Sequence, residues 1–416
     1  MTDKIKEIDL RAMAACGESF KKIDEISQFC TEKVLNAFSA ERISEAHLHG
    51  STGYGYTDIG RDALDRVYAR AFECEDAIVR PQIVSGTHAL TIALFGMLRP
   101  GDCMLSVTGS PYDTLYDVIG INNGTGSLRE YGINYRETPF KNGEIDKSQI
   151  EKELRDSSIK LVFIQKSKGY LDRRTLSSKE IGDIAAYVKS LRPDVYVMAD
   201  NCYGEFCEMH EPVYYGVDLM VGSLIKNAGG GLAKTGGYIA GTRECVERCS
   251  YRVTCPGIGR ESAATVGYMS DFYQGFFMAP HTAAQALKTA VYCANVFEGL
   301  GFSVNPAPQD ERYDIIQTIA FGDPDGLIAF CKGIQAGAPI DSFALPEPGD
   351  MAGYADKVIM AAGAFVQGAS IELSADGPLR PPYTAFMQGS LTFESGRLGI
   401  LKALENIIRI KDGKLS

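Results

Sequence analysis

Several common signatures are missing from this 416-residue sequence, and each absence narrows what it can be. It holds five histidines, and its eleven cysteines include no Cys-x-x-Cys pair. The spacings Cys202/Cys207, Cys245/Cys249 and Cys249/Cys255 fit neither a zinc knuckle nor a small-protein disulfide framework. The cysteines therefore read as small buried apolar residues in a reducing compartment, and no metal site is expected. No uninterrupted apolar run reaches membrane-spanning length; the longest candidate, Val358–Ala369, is broken by Gly363. An excess of basic charge is also lacking. With 42 Lys+Arg against 53 Asp+Glu the net charge is −11, which excludes a general affinity for nucleic acid or anionic membrane surfaces. The opening MTDKIKEIDLRAMAAC mixes charges of both signs and lacks the apolar core of a signal peptide, so a cytoplasmic location is expected.

What is present fits a soluble globular protein of two or three domains, with 45% hydrophobic and 23% charged residues. Residues 3–46 read as helical, with Ile5, Ile8, Ile23, Ile26, Phe29, Val34 and Leu35 recurring at helical spacing. HLHGSTGYGYTDIGRD is dense in glycine and reads as a loop, followed by a helix from about Asp62 to Phe72. A turn at Ser85-Gly86-Thr87 opens an apolar helix running to about Leu98. From Asp102 to about Met220, short apolar strands alternate with helices, which predicts βαβ units and a mostly parallel sheet. Such sheets carry ligands outside the carboxyl ends of their strands. Asp200 and Asn201 close one predicted strand, and Lys226 follows the next. A helix over roughly Ala283–Leu300 leads into a smaller mixed region, DIIQTIAFG, GLIAFCKGIQAG, KVIMAAGAFV and SIELSAD, with LRPPY at 379–383 as a loop and a last helix from Gly396 to Ile410.

Four local features carry possible chemistry. Lys226 stands in LMVGSLIKNAGGGLAKTGGYIAG, between Ser223 and three glycines; it could form a Schiff base with a carbonyl cofactor, or be a solvated loop lysine. Ser85, Gly86 and Thr87 at a helix start offer free N–H groups to a phosphate, though such residues also cap ordinary helices. Tyr112 in GSPYDTL could stack on a flat ring or sit half-buried in the core. Asp200 could keep a heteroaromatic nitrogen protonated or cap a turn. Lys166 and Lys168 in IQKSKGY could add positive charge near a bound cofactor, but read first as solvated loop lysines.

The order of these features, phosphate turn, stacking aromatic, strand-end acid, then Ser-x-x-Lys, resembles the pyridoxal-phosphate superfamily of aspartate-aminotransferase fold. Within it the chain resembles the Cys/Met-metabolism branch, and there the methionine-γ-lyase-like group called "aluminium resistance protein". The residues carrying this are GYGYTDIGRD, SGTHAL, ADNCYGEF, GSLIKNAGGGLAKTGGYIAG and RPPYTAFMQGSLTFESG. The resemblance implies an α/β fold of type I. An N-terminal helical segment and inter-subunit arm would span 1–60, a large cofactor-binding domain 61–290, and a smaller C-terminal α/β domain 291–416. It implies pyridoxal 5′-phosphate as cofactor, with Lys226 as its Schiff-base residue and Cα base. Asp200 would lie on the pyridine nitrogen, Tyr112 on the ring, and Ser85, Gly86, Thr87 and Ser223 on the phosphate. Desolvation and the cationic ring would lower the Lys226 pKa.

Two departures matter. The branch places a Tyr-x-Arg motif of a neighbouring subunit on the phosphate; Tyr56 fits the tyrosine, but Asp58 stands at the arginine position, and Arg61 is the substitute. The branch's C-terminal Arg-x-Ser-x-Gly does not align with LTFESGRLG, so Arg380 before Pro381-Pro382 is the expected carboxylate clamp, with Arg397 the alternative. The implied activity is a carbon–sulfur lyase acting on a small amino acid by β- or γ-elimination, with Tyr56 as a second catalytic residue. An aminotransferase is the enzymatic alternative, and a cofactor-binding stress-response protein with little turnover is another. A site shared through Tyr56 implies a homodimer or homotetramer.

Overall fold

The computed structural model describes residues 2–122, 124–141, 143–171, 173–351 and 356–411. Met1 and 412–416, at the ends of the expected division into domains, lie outside the described residues. Two helices come first, α1 (Asp3–Ala15) and α2 (Gly17–Ala40), then α3 (Ile59–Ala71), β1 (Asp76–Arg80), α4 (Gly86–Met97), β2 (Cys103–Ser106) and α5 (Thr114–Ile119). The short strands β3 (Asn134–Glu137), β4 (Phe140–Lys141) and β5 (Glu144–Ile145) precede α6 (Lys147–Glu153). Next are β6 (Ile159–Gln165), α7 (Ser178–Leu191), β7 (Tyr196–Asp200), β8 (Leu219–Ser223), β9 (Gly237–Gly241) and α8 (Arg243–Val253). The long α9 (Met269–Glu298) leads to β10 (Ser303–Asn305), β11 (Ile316–Ala320), α10 (Pro324–Gly337), β12 (Val358–Ala362), β13 (Ser374–Pro378), β14 (Thr384–Gln388) and α11 (Phe393–Lys411).

Among the described residues, one seven-stranded sheet has the order β1-β9-β8-β7-β6-β2-β3. The pairs from β8 through β7, β6 and β2 to β3 are parallel, and β9 runs antiparallel to both of its neighbours. Parallel strands are buried on both faces, which is why β6 reads as the continuous apolar run IKLVFIQ. Side chains alternate across it: Leu161 and Phe163 pack with Leu90, Ala93 and Leu94 of α4, while Val162 and Ile164 pack with Ile181, Ala185 and Val188 of α7. α7 starts on a capping box in which Ser177 and Glu180 bond each other's backbone N–H. A second sheet, β10-β11-β14-β13-β12, is antiparallel throughout and backs onto α9 and α10, with α11 packed on those helices.

Several expectations need correction. The helical stretch 3–46 is two helices broken at Cys16 and ending at Ala40, followed by a 3₁₀ turn at Glu45–Leu48. The connecting helix begins at Met269, well before Ala283. Pro280, inside it, disguises the boundary as a breaker, but burial of Phe272, Tyr273 and Phe276 in the core holds the helix through it. SIELSAD turns extended only at Ser374, because the Glu372 carboxylate accepts the N–H groups of Phe365 and Val366 and folds the chain back on itself.

Two buried polar clusters set the geometry of the large sheet. Arg80 at the end of β1 is fully buried and meets Asp65 of α3 bidentately, Nη1–Oδ1 2.6 Å and Nη2–Oδ2 2.9 Å; Asp65 also accepts Val79 N at 2.8 Å. Beneath the carboxyl ends of β7 and β8, Tyr238 Oη donates to Glu205 Oε1 at 2.9 Å, and Asn201 Nδ2 donates to Glu211 Oε2 at 2.7 Å. Glu205 lies against the bare backbone of Gly222, where a Cβ would come within 2.4 Å of Oε1. Burial pushes the Glu205 carboxyl up to about 8, and the Glu211 charge adds to it, against the pull of its own backbone, Tyr238 and Lys226.

Two outcomes follow from these clusters. Asp65→Ala leaves a guanidinium buried without its partner and should destabilise the fold by roughly 3–5 kcal/mol in denaturant titration. The folded-state pKa of Glu205 lies above its ordinary value of 4.5, so the stability it contributes is complete at low pH and is lost as pH rises through about 8. Glu205→Gln should therefore melt progressively higher than wild type between about pH 5 and 8, with the gap levelling off above that.

Candidate active site

The strand ends converge on one cavity of about 520 Å³, lined on one wall by Tyr112, Gln165, Asp200, Cys202, Tyr203 and Lys226. The topology explains the convergence: Gln165 ends β6, Asp200 ends β7, Lys226 follows Ser223 at the end of β8, and Gly86 opens α4 after β1. Ser85 caps α4 by accepting His88 N at 3.0 Å, leaving the first turn's N–H groups facing the strand ends. Thr87 Oγ1 and Tyr112 Oη are 2.9 Å apart, and Tyr112 N donates to Gln165 Oε1 at 2.9 Å. Ser223 is buried, its Oγ accepting Ile225 N at 3.3 Å.

Lys226 is the centre of the arrangement. Its Nζ sits 3.9 Å from the ring centroid of Tyr203, a residue held at φ +73°. The expectation of a lowered lysine pKa does not hold for the chain by itself. Burial pulls the ammonium down, but Cys202, Tyr203, Asp200 and Tyr112 crowd it and carry it well above the ordinary lysine value. Burial pushes the Asp200 carboxyl up, opposed by Lys226 and by the Cys202 N–H, which donates to Oδ1 at 3.0 Å. Proton possession within this pair is thus set by the distance between the two groups and by what enters between them.

Other expected residues fall elsewhere. Lys166 and Lys168 are buried, in contrast to the solvated lysines expected. Lys166 bridges Glu208 Oε2 (2.7 Å) and Ser178 Oγ (2.9 Å), and Lys168 lines the cavity while donating to Asn305 O at 3.2 Å. Tyr56 is exposed and stacks on Tyr54, apart from the cavity lining of its own chain. Arg61 is 1% exposed and is committed inward: it donates to Gly55 O (2.8 Å), Glu261 O (3.3 Å), Ala263 O (3.4 Å) and Asp62 Oδ1 (2.9 Å). It fastens the glycine-rich loop to the 261–263 segment, so no N–H of the guanidinium fork is presented outward in the manner of the Tyr-x-Arg arginine. Asp58, in the motif's arginine position, caps α3 and accepts Arg61 N at 2.9 Å.

Arg380 lines the cavity, with its Nη1 on Asp356 Oδ2 at 3.2 Å. Arg397 instead grips Asp9 with Nε–Oδ1 2.8 Å and Nη2–Oδ2 2.6 Å, tying α11 to α1 and leaving no fork for a substrate. Residues that sequence reasoning passed over include Gln165, Cys202 and Tyr203, together with Tyr170, Asp376 and Gln388 on the opposite wall. Gln165 was findable by the reasoning that picked Asp200, as a polar residue closing a buried strand. Asp376 had only a polar position in an alternating strand to mark it.

The residues fit pyridoxal 5′-phosphate. At Gly86 a Cβ would stand 3.1 Å from Cys202 Sγ, 3.6 Å from Ser223 Cβ and 3.9 Å from Lys226 Nζ, so the missing side chain keeps open a space at the helix N-terminus that a phosphate would fit. A buried carboxylate, an aromatic ring and an amine share the cavity beside it.

Comparison with known proteins agrees with this geometry. The sequence model described as methionine gamma-lyase matches residues 5–408. A crystal structure of a carbon-sulfur lyase involved in aluminum resistance, from Clostridium novyi NT, is 54% identical, with 98% of this chain and 96% of that chain covered at a TM-score of 0.94. The Bacillus subtilis (strain 168) protein YnbB, itself uncharacterized, is 47% identical over 408 residues, 97% of each chain. The pyridoxal-5′-phosphate-dependent protein YhfS from Escherichia coli shares the fold at 16% identity, with 93% of this chain and 97% of that chain covered and a TM-score of 0.62. By sequence over nearly its whole length, this chain belongs to the methionine gamma-lyase family.

Proposed function

We propose that the protein is a pyridoxal 5′-phosphate-dependent carbon–sulfur lyase that splits a small sulfur amino acid by β- or γ-elimination. The observation that carries the reading is a half-buried Lys226 amine just beyond the end of β8, sharing one cavity with Asp200, Tyr112 and Arg380. The cofactor, when bound, supplies the electron sink that makes removal of a Cα proton feasible.

The chain's own residues do the rest. Gly86, Thr87 and Ser223, with the N-terminus of α4 capped by Ser85, would hold the phosphate by N–H and hydroxyl donors and by the helix dipole. Asp200, buried at the end of β7, would hold a proton on the pyridine nitrogen, and Tyr112 would cover the ring. Lys226 would anchor the cofactor, and its amine, once free, would be the base that takes the Cα proton and returns it to the departing group or to carbon. Tyr203, under the Nζ, keeps the freed amine beside the reacting carbon. Arg380 exchanges Asp356 for the substrate carboxylate; the existing ion pair is half-exposed and cheap to open.

Tyr56 completes the site from a second copy of the chain, so the active form is at least a dimer. Arg61 serves this arrangement indirectly, by pinning the loop that carries Tyr56.

Purified protein should be yellow and should lose its visible band on borohydride treatment. Lys226→Ala should lose the band and reduce keto-acid and thiol release by roughly 10²–10⁴-fold; covalently retained cofactor in that variant would remove Lys226 from its role. Release of keto acid, ammonia and thiol from sulfur amino acids identifies the lyase, whereas keto-acid-dependent conversion of the cofactor to its amine form identifies an aminotransferase. Mixing inactive Lys226→Ala with a Tyr56→Phe variant of low activity should restore part of the activity if sites are shared; no recovery after subunit exchange argues for sites built from a single chain.

A further inference from the structure

Opposite Lys226, the cavity wall is the free face of the small sheet. Along β13 the side chains alternate: Ala375 is buried towards α10, and a Cβ at Gly377 would touch Leu327 Cδ1 at 2.9 Å, so Asp376 and Pro378 face the other way. Asp376 is flanked in register by Met360 of β12 and Phe386 of β14, and all three line the cavity with Gln388. Arg380, two positions beyond Pro378, lines the same cavity.

The partners of this carboxylate are neutral. Tyr170 Oη donates to Asp376 Oδ1 at 2.7 Å, and Gln388 Nε2 donates to Oδ2 at 3.4 Å. Among the described residues it forms no ion pair, whereas Arg380 is paired with Asp356. Burial raises the Asp376 carboxyl to about 6, partly offset by Tyr170, so at neutral pH it is ionised. A carboxylate ionised beside Met360 and Phe386 carries a desolvation cost that no ion pair among the described residues repays. A ligand cation would repay it, and the thioether and methylene groups leading to that cation would suit the apolar neighbours.

We propose that Asp376 is a specificity residue that selects sulfur amino acids whose departing arm ends in a protonated amine, an inference that rests on the lyase reading above. Arg380 takes the α-carboxylate, Lys226 faces Cα, and Asp376 with Tyr170 and Gln388 receives the ammonium of the leaving arm. The competing account is that Asp376 serves only to hold Tyr170 in place, and that account predicts no preference for charge on the ligand.

Two ligands that differ only in their terminal group separate these accounts: 3-(2-aminoethylthio)propionate and 3-(propylthio)propionate. Neither is an α-amino acid, so neither can be cleaved, and calorimetric titration of the holoenzyme at about pH 8, with the visible band followed to exclude displacement of Lys226 by the terminal amine, reads binding without turnover. The amine should bind about 10- to 100-fold tighter than its propyl counterpart. Asp376→Asn preserves an acceptor for Tyr170 and should bring the ratio to about one. Equal affinities in wild type, or an unchanged ratio in Asp376→Asn, would overturn the proposal; the wild-type ratio needs no variant, so a poorly folding Asp376→Asn does not protect it. Among substrates, S-(2-aminoethyl)-L-cysteine should exceed S-propyl-L-cysteine in kcat/KM by a similar factor. Should neither be cleaved while the binding preference persists, the lyase reading falls and recognition of the amine by Asp376 stands.

Discussion

A lysine ammonium taken out of water has to be compensated, and the architecture around Lys226 follows from how this chain does it. The amine rests on the Tyr203 ring and shares its cavity with the Asp200 carboxylate, one strand away in a parallel pair. Parallel strands bring their carboxyl ends to the same edge, so a lysine after β8 and an acid at the end of β7 meet without a special loop. Glu205, kept largely neutral below them, adds no second full negative charge that would bind the ammonium too strongly for the base role proposed for it.

The two walls of the cavity divide the labour. The large sheet presents groups suited to a cofactor: the start of α4, Tyr112, Asp200 and Lys226. The small antiparallel sheet presents groups suited to what a cofactor acts on: Arg380, Asp376 and an apolar strip between them. One wall is built from strand ends and the other from a strand face, which accounts for their different legibility. Strand ends are marked in the sequence by a polar residue terminating an apolar run and followed by glycine, as with Asp200 and Lys226. A strand face is marked only by alternation, and there Asp376 resembles any outward-facing polar residue.

Most of the large sheet could be read from its apolar runs, because two-sided burial leaves little freedom in composition. The errors fell where long-range packing overrides a local signal. Pro280 looks like a helix stop, yet it lies inside a helix held by the core. Lys166 and Lys168 look like loop lysines, yet the fold closes over them and supplies Glu208, Ser178 and the Asn305 carbonyl. Arg61 and Arg397 were candidates by residue type and position, but their partners, the carbonyls of residues 55, 261 and 263 in one case and Asp9 in the other, are distant in sequence or invisible as motifs. A guanidinium's role depends on which acceptors reach it first, and that is a property of the folded chain.

The inward commitment of Arg61 bears on how copies of this chain meet. Its donors clamp both the loop of Gly55 and Tyr56 and the segment of residues 261–263, while Tyr54 and Tyr56 stack on the outer surface. A loop held in this way before any encounter has already given up its conformational entropy, so two subunits associating through it lose little further freedom. In the proposed dimer, assembly of a shared site would resemble the docking of two rigid bodies, with the cost of shaping the contact surface met during folding of each chain.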